Sequence, residues 1–256
     1  MKLGGFGEIK DYLEISKAGF DFAELDIPEI EALSETDFEN LEKKVKETGF
    51  EVLTGARLFP ITDPLFFTDG FSPKELIPYL EKVCKRTSRL GICKIILGNG
   101  KARSIQAPED LKKEPKFIEF VRMIADIAQT CGQELILEPL GPKYSNYLNT
   151  ISEVVRFIGK VNRENVFTMA DMRHMYWNEE PFENVVKYVT YIHHIHMDYP
   201  VSYPERKYPT SEDGYDYQKF LNILKKSGYD DTLTIEADIP TDWSLAFKKA
   251  IEAFGR

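Results

Sequence analysis

The chain has 256 residues, enough for a single large core that buries about three quarters of the unfolded surface. Its 43% hydrophobic and 29% charged residues are ordinary for a soluble globular protein, and no run approaches the roughly 18 consecutive apolar residues of a membrane span. A net charge of −9 opposes the phosphate contacts that nucleic-acid binding needs, so neither a membrane nor a nucleic acid is an expected partner.

Strand-like apolar runs alternate with amphipathic runs, without a composition break or a Gly/Ser-rich linker, which predicts one α/β domain over residues 1–256. MKLGG reads as the first strand, a helix follows over about 8–18, and DFAELDI (21–27) is the second strand. The next helix spans about 36–48 with Ser34 or Thr36 as its N-cap, and EVLTGA (51–56) is the third strand. A helix over about 73–90 opens S-P-K-E, with Ser72 placed to accept from orphan amides and Pro73 at the first helical position. KIILGNG (94–100) is a fourth, nearly all-apolar strand, as expected where both faces are covered. The helix over 115–131 ends at Gly132 and leads into ELILE (134–138). Helices near 150–160, 180–190, 215–227 and 241–253 then interleave with NVFTMAD (165–171), YIHHIH (191–196) and TLTIE (232–236). In the third of these helices Tyr217, Phe220, Leu221 and Leu224 fall at i, i+3, i+4 and i+7, and Gly228 stops it.

Eight strands and eight helices in alternation predict a (β/α)8 barrel, whose C-terminal strand ends converge on one mouth. The two longest strand-to-helix connections, 57–71 and 197–214, should lie on that face. The N-terminus reaches charged residues too early for a signal peptide, and Cys84, Cys93 and Cys131 show no C-x-x-C spacing. Buried thiols in a reducing cytoplasm are expected.

Glu138, Asp171, His196 and Glu236 each close one of the last four strand runs, at gaps of 33, 25 and 40 residues. Those gaps are close to the roughly 30 residues of one strand-helix-strand unit, so the four can share one ion at the mouth. A carboxylate directly after four apolar residues, as in ELILE and TLTIE, is partly desolvated and needs a partner, a hydrogen-bond cage or a metal. For Asp171 a salt bridge to Arg173 or a helix N-cap competes with ligation. Alternation sends His194 and His196 to one side of the strand and His193 to the other, which makes His196 the ligand candidate and His194 a deeper, hydrogen-bonded core residue. Two Glu, one Asp and one imidazole form an oxygen-rich donor set suited to Mn²⁺ or Mg²⁺ and tolerant of Co²⁺ or Zn²⁺.

After the fourth strand, GNGKAR (98–103) offers glycines for close backbone approach and Arg103 for an anionic or hydroxylated substrate, with a purely structural turn as the competing account. It lacks the third glycine of a dinucleotide site, and no P-loop or G-x-S-x-G elbow occurs. Phe59, Phe66, Phe67, Trp177, Tyr199 and Tyr203 fall in the mouth loops, where they would either wall a pocket against substrate or form a homo-oligomer interface.

These motifs, in order and spacing, resemble the xylose isomerase-like TIM-barrel superfamily, in its sugar isomerase/epimerase branch of ketose 3-epimerases and hydroxypyruvate isomerases. The resemblance rests on Glu138-Pro139-Leu140, on Ser145-Asn146-Tyr147-Leu148-Asn149-Thr150, on Asp171-Met172-Arg173-His174 and on His194-Ile195-His196. Gly214-Tyr215-Asp216-Tyr217, Leu224 through Tyr229, and Ile235-Glu236 complete it. It implies one divalent metal held by Glu138, Asp171, His196 and Glu236, with His174 and Arg206 contacting substrate oxygens. It further implies that Glu138 and Glu236 act as an acid/base pair on opposite faces of a small carbohydrate, through a metal-stabilised enediolate. Isomerisation or epimerisation follows from where the proton returns. The sequence departs from the branch at Gly141 and Tyr144, where an Asn and a Glu are usual, and at Asp198, which stands one position early. A dehydratase on the same constellation is the main alternative. An apurinic endonuclease needs more imidazoles than the four His provide, and a non-catalytic sugar-binding barrel would bind no metal.

Overall fold

Eight parallel strands close on one another in chain order: β1 (Lys2–Gly7), β2 (Phe22–Asp26), β3 (Glu51–Ala56), β4 (Lys94–Leu97), β5 (Glu134–Leu137), β6 (Val166–Asp171), β7 (Ile192–Met197) and β8 (Thr232–Ile235). Closure runs from β8 back to β1, with Lys2 opposite Thr232 and Gly5 opposite Ile235, so no strand is left with an open edge. This is the (β/α)8 barrel that the alternation predicts. The computed structural model describes residues 1–60 and 64–255; Ile61, Thr62 and Asp63 of the 57–71 connection, and Arg256, lie outside the described residues.

Eleven helices cover the described barrel: α1 (Tyr12–Ala18), α2 (Ile27–Ala32), α3 (Glu35–Thr48), α4 (Ile77–Arg89), α5 (Gly100–Arg103), α6 (Glu114–Thr130), α7 (Ile151–Val161), α8 (Met172–Trp177), α9 (Glu183–Tyr188), α10 (Tyr217–Ser227) and α11 (Trp243–Ala253). The three beyond the expected eight, α2, α5 and α8, are four to six residues long and start at or just after a strand's C-terminal end. Pieces so short never complete an apolar period, so periodicity could not reveal them. None of the helices is long and apolar enough to cross a membrane, among the described residues.

The local chemistry of the helix ends is as the residue types dictate, with one exception. Ser34 rather than Thr36 caps α3, accepting from the Asp37 amide at 3.1 Å, and Thr150 with Glu153 forms a capping box on α7. Ser72 makes no cap bond, because Pro73 opens a 3-10 turn and α4 begins only at Ile77.

Outward strand residues pack under the helices in one large core. Inside the barrel, among the described residues, Ile96, Ile136 and Met169 form a small apolar cluster with Phe167 packed against it. The rest of the interior holds buried polar groups, among them Glu24, Thr54, Lys94, His194 and Thr234. Lys94 closes the floor, donating to the His193 carbonyl at 2.7 Å, to Asp231 at 2.5 Å and to Thr232 at 3.1 Å.

The connection after β3 corrects one expectation. Phe59, Phe66 and Phe67 are buried in an aromatic cluster with Phe117 and Phe120 of α6, with Phe66 5.2 Å from both rings of that helix, and do not wall the mouth. Burial of each ring stabilises by about 1.5–3 kcal/mol, more than any exposed position at the rim would supply. They anchor the loop from below.

Candidate metal centre and active site

The C-terminal ends of β5 to β8 bring Glu138, Asp171, His196 and Glu236 together, and one potential ligand atom from each lies within 4.8 Å of all the others. His196 Nδ1 is 3.0 Å from Glu236 Oε2, 3.5 Å from Glu138 Oε1 and 3.9 Å from Asp171 Oδ2. Glu138 Oε1 and His196 Nδ1 are buried and make no hydrogen bond, and Glu236 Oε2 is buried with the Arg206 guanidinium against it. A buried polar atom left unsatisfied costs about 1–3 kcal/mol, and two such atoms converging with the Asp171 and Glu236 carboxylates fit a divalent cation. The donor set is the oxygen-rich one read from the sequence.

Asp171 caps a helix with one oxygen and still presents the other to the cluster, two arrangements that the sequence presents as competitors. Its Oδ1 accepts from the amides of Arg173 at 2.7 Å and His174 at 3.1 Å, capping α8, while Oδ2 faces the cluster. Arg173 does not pair with it. Its buried guanidinium instead donates to Asp198 at 2.5 Å and to the carbonyls of Ser202, Tyr199 and Glu205, stapling the β7 loop to α8. That loop carries Arg206, whose Nη2 lies 3.1 Å from Asp171 Oδ2 and whose Nε donates to Asp198 Oδ2 at 3.1 Å, while Nη1 pairs with Glu236. Asp198 thus sits, buried, between two arginines.

Gly98 explains the glycine of the GNG turn. A Cβ there would stand 1.8 Å from Glu138 Oε2, so only glycine leaves room for the carboxylate.

Burial raises the Glu138 carboxyl to about 7, reinforced by Glu236 and Asp171 and opposed by His196. Burial also opposes ionisation of Glu236, yet Arg206 and His196 outweigh it and hold this carboxyl below its ordinary range. Two similar acids are therefore driven apart by their surroundings. His174 is lowered to about 4 by burial and stays neutral, its Nε2 3.6 Å from Glu138 Oε1 and 3.5 Å from Asp171 Oδ2.

Beneath the cluster lies a residue the sequence reading missed. Glu24, on β2, is fully buried with Oε2 3.0 Å from His194 Nε2 and Oε1 3.0 Å from His196 Nε2, and it accepts from Thr54 at 2.6 Å and Thr234 at 3.1 Å. A carboxylate against the far nitrogen of a ligating histidine fixes the ring and its tautomer. The signal was available: in DFAELDI, alternation puts Glu24 on the same inward face as Phe22 and Asp26. His194 is the deeper core histidine, with Nδ1 2.8 Å from Thr232 Oγ1. His193, expected on the helix side, instead stacks on Phe167, which packs against the interior apolar cluster, and its Nδ1 lies 2.9 Å from Glu134 Oε2; a register shift in the β6–β7 pairing interrupts the alternation there.

A cavity of about 580 Å³ opens over the cluster, lined by Glu138, His174, Arg206 and Glu236 together with Tyr144 and Pro204. Arg103 is not part of that lining. Its buried guanidinium donates to the carbonyls of Glu138 and Leu148, so the residue expected at the substrate instead pins the end of β5 from behind. Trp177 stands behind Lys143, whose ammonium lies 3.2 Å from the indole ring centre. A larger concavity of about 640 Å³ occurs on the outer surface between α4 and α6, where no ligating cluster accompanies it among the described residues.

A family model described as xylose isomerase-like TIM barrel matches residues 13–255. The D-psicose 3-epimerase of Agrobacterium fabrum is 26% identical over 180 residues, covering 69% of this chain and 62% of that protein. The inosose isomerase of Bacillus subtilis is 26% identical over 152 residues, covering 56% of this chain and 53% of that protein. The chain thus matches between half and two thirds of the length of these two relatives. A crystal structure of D-psicose 3-epimerase in the presence of D-fructose shares the fold with a TM-score of 0.82 at 21% identity, covering 100% of this chain and 97% of that one. The IOLI protein with a zinc atom gives 0.78 at 19% identity, covering 99% and 96%. With its closed parallel barrel and a family match over nearly all its length, the chain belongs to the xylose isomerase-like TIM barrel family.

Proposed function

We propose that the protein is a divalent-metal-dependent isomerase or epimerase of a small sugar or sugar derivative, with Glu138 and Glu236 as its acid/base pair. The observation that carries this reading is the convergence of Glu138, Asp171, His196 and Glu236 within 4.8 Å under an open cavity. The names of the relatives, a D-psicose 3-epimerase and an inosose isomerase, support the same class. Mn²⁺ is the cation that the oxygen-rich set favours.

A cation held by these four residues supplies Lewis acidity, polarising a carbonyl and stabilising the charge left when an adjacent C–H proton departs. The chain's residues do the rest. Glu236, kept ionised by Arg206 and His196, takes the proton, and Glu138 stands to return one from the other side. The reverse direction exchanges the two roles. Neutral His174 donates a hydrogen bond to a substrate hydroxyl without adding charge, and Arg206 fixes both Asp171 and Glu236 while lining the cavity. A positioned carboxylate of this kind contributes about 10²–10⁴-fold in rate.

The test is metal analysis of the purified protein, then solvent-deuterium incorporation into ketoses, inososes and hydroxypyruvate, with Glu138→Gln and Glu236→Gln in parallel. Exchange by wild type and its loss in both variants is expected. Exchange that survives both substitutions removes the acid/base assignment, and a product that has lost water makes the enzyme a dehydratase.

A further inference from the structure

We infer that the substrate carries an anionic group, a phosphate ester or a carboxylate, at the end remote from the metal centre. This deepens the isomerase reading and rests on it. The cavity is lined by Arg57, Lys101 and Lys143, which follow β3, β4 and β5, three neighbouring strands on one side of the mouth. The whole chain has a net charge of −9, yet the cavity lining holds four cations against three carboxylates, Glu138, Glu236 and Asp238; Arg206 and Arg57 have carboxylate partners, and Lys101 and Lys143 have none among the described residues. The carboxylates are already engaged. Glu236 pairs with Arg206, Glu138 belongs to the ligand cluster, and Asp238 accepts from the Arg206 amide at 2.9 Å.

The two lysines have no carboxylate partner among the described residues, while the Arg57 guanidinium is paired with Asp26 and keeps one edge free. Arg57 has φ of +55°, a conformation uncommon for a residue other than glycine, and its Nε and Nη2 both bind Asp26 Oδ1, at 2.8 and 2.6 Å. Its Nη1 has no partner among the described residues. The Lys143 ammonium lies 3.2 Å from the Trp177 ring centre and 4.1 Å from that of Tyr203, contacts that hold a cation and leave its charge unpaired. Lys101 is exposed at the start of α5 and has no ion-pair partner among the described residues. A neutral sugar needs no such surplus. An anion reaching outward from the centre would meet a guanidinium edge and two ammonium groups, each giving charge-assisted hydrogen bonds.

The experiment compares calorimetric binding, by the Mn²⁺-loaded protein, of D-fructose with D-fructose 6-phosphate, of D-tagatose with D-tagatose 6-phosphate, and of each ketose with its keto-uronate. The Lys101→Ala/Lys143→Ala double variant is run alongside, and deuterium exchange is read on the same panel. The expected result is at least tenfold tighter binding of one anionic class, with the preference falling at least tenfold in the double variant. Preference for the esters identifies phosphate, and preference for the uronates identifies carboxylate. Equal or weaker binding of every anionic member overturns the inference, as does a preference the double variant retains. A wild-type anion preference that the double variant loses, without exchange from any compound, would instead overturn the isomerase reading alone, so the two failures are distinguishable.

Discussion

Replacing Gly98 by Ala tests how tightly the backbone of the β4 turn defines the centre. The added Cβ would stand 1.8 Å from Glu138 Oε2, where ordinary contact begins near 3.4 Å, so the carboxylate must retreat by about 1.6 Å. It cannot do so and keep its place in the centre, where the ligand candidate His196 Nδ1 is only 3.5 Å, and the neighbouring His174 Nε2 3.6 Å, from its Oε1. A displacement of about 1 Å typically costs about 100-fold in rate, so Gly98→Ala should lose about 100-fold or more in exchange and in Mn²⁺ affinity. Stability should fall by only about 1–3 kcal/mol, because the clash is with the end of a side chain, so the variant should still fold. Gly159→Ala is the matched control: nothing lies within 4 Å of its added methyl, and in α7 the change should stabilise by about 0.5–1 kcal/mol. Calorimetric Mn²⁺ titration and thermal melts of both variants decide the matter. Wild-type metal affinity in folded Gly98→Ala would refute the steric account of this glycine.

Glu24→Gln keeps the shape beneath His196 but removes the charge facing its Nε2, and Mn²⁺ affinity should fall about 10–100-fold with little change in fold; unchanged affinity by calorimetry would exclude a positioning role. Arg103→Ala leaves the Glu138 and Leu148 carbonyls without their donor, so a loss of about 2–4 kcal/mol in denaturant unfolding is expected, whereas a rise in KM at full stability would return Arg103 to the substrate. In chelator-treated protein Glu138 has a folded pKa of about 7, raised above its ordinary 4.5. Its neutral form therefore contributes stability that is complete below about pH 4.5 and is lost as pH rises through 7. Glu138→Gln should gain on wild type by up to about 3 kcal/mol across that window, and a difference independent of pH would show that the carboxyl is not so raised.

The barrel was legible because its signals are repetitive. Each strand run is apolar and each covering helix keeps its period, so the strand order followed from chain order alone. Glu138, Asp171, His196 and Glu236 were legible for a related reason, since a polar residue closing an apolar strand marks the mouth. Arg103 was misplaced because sequence position after β4 says nothing of direction, and the backbone carbonyls at the end of β5 claim its guanidinium. The β3-loop phenylalanines were misplaced because a long connection can fold back into the core as readily as it can line an opening. Glu24 escaped notice as an acid within an apolar strand, whose histidine neighbours are some 170 residues away in the chain.

The Arg173 staple has a consequence for how this mouth can change. Three of its bonds end on main-chain oxygens of Tyr199, Ser202 and Glu205, which persist whatever side chains those positions carry. Val201 and Tyr203, 40% and 46% exposed on the same loop, can therefore be rewritten while Arg206 keeps its place above Asp171 and Glu236. Selection, natural or in the laboratory, is thereby offered a rim whose taste can drift while the chemistry below it is inherited intact.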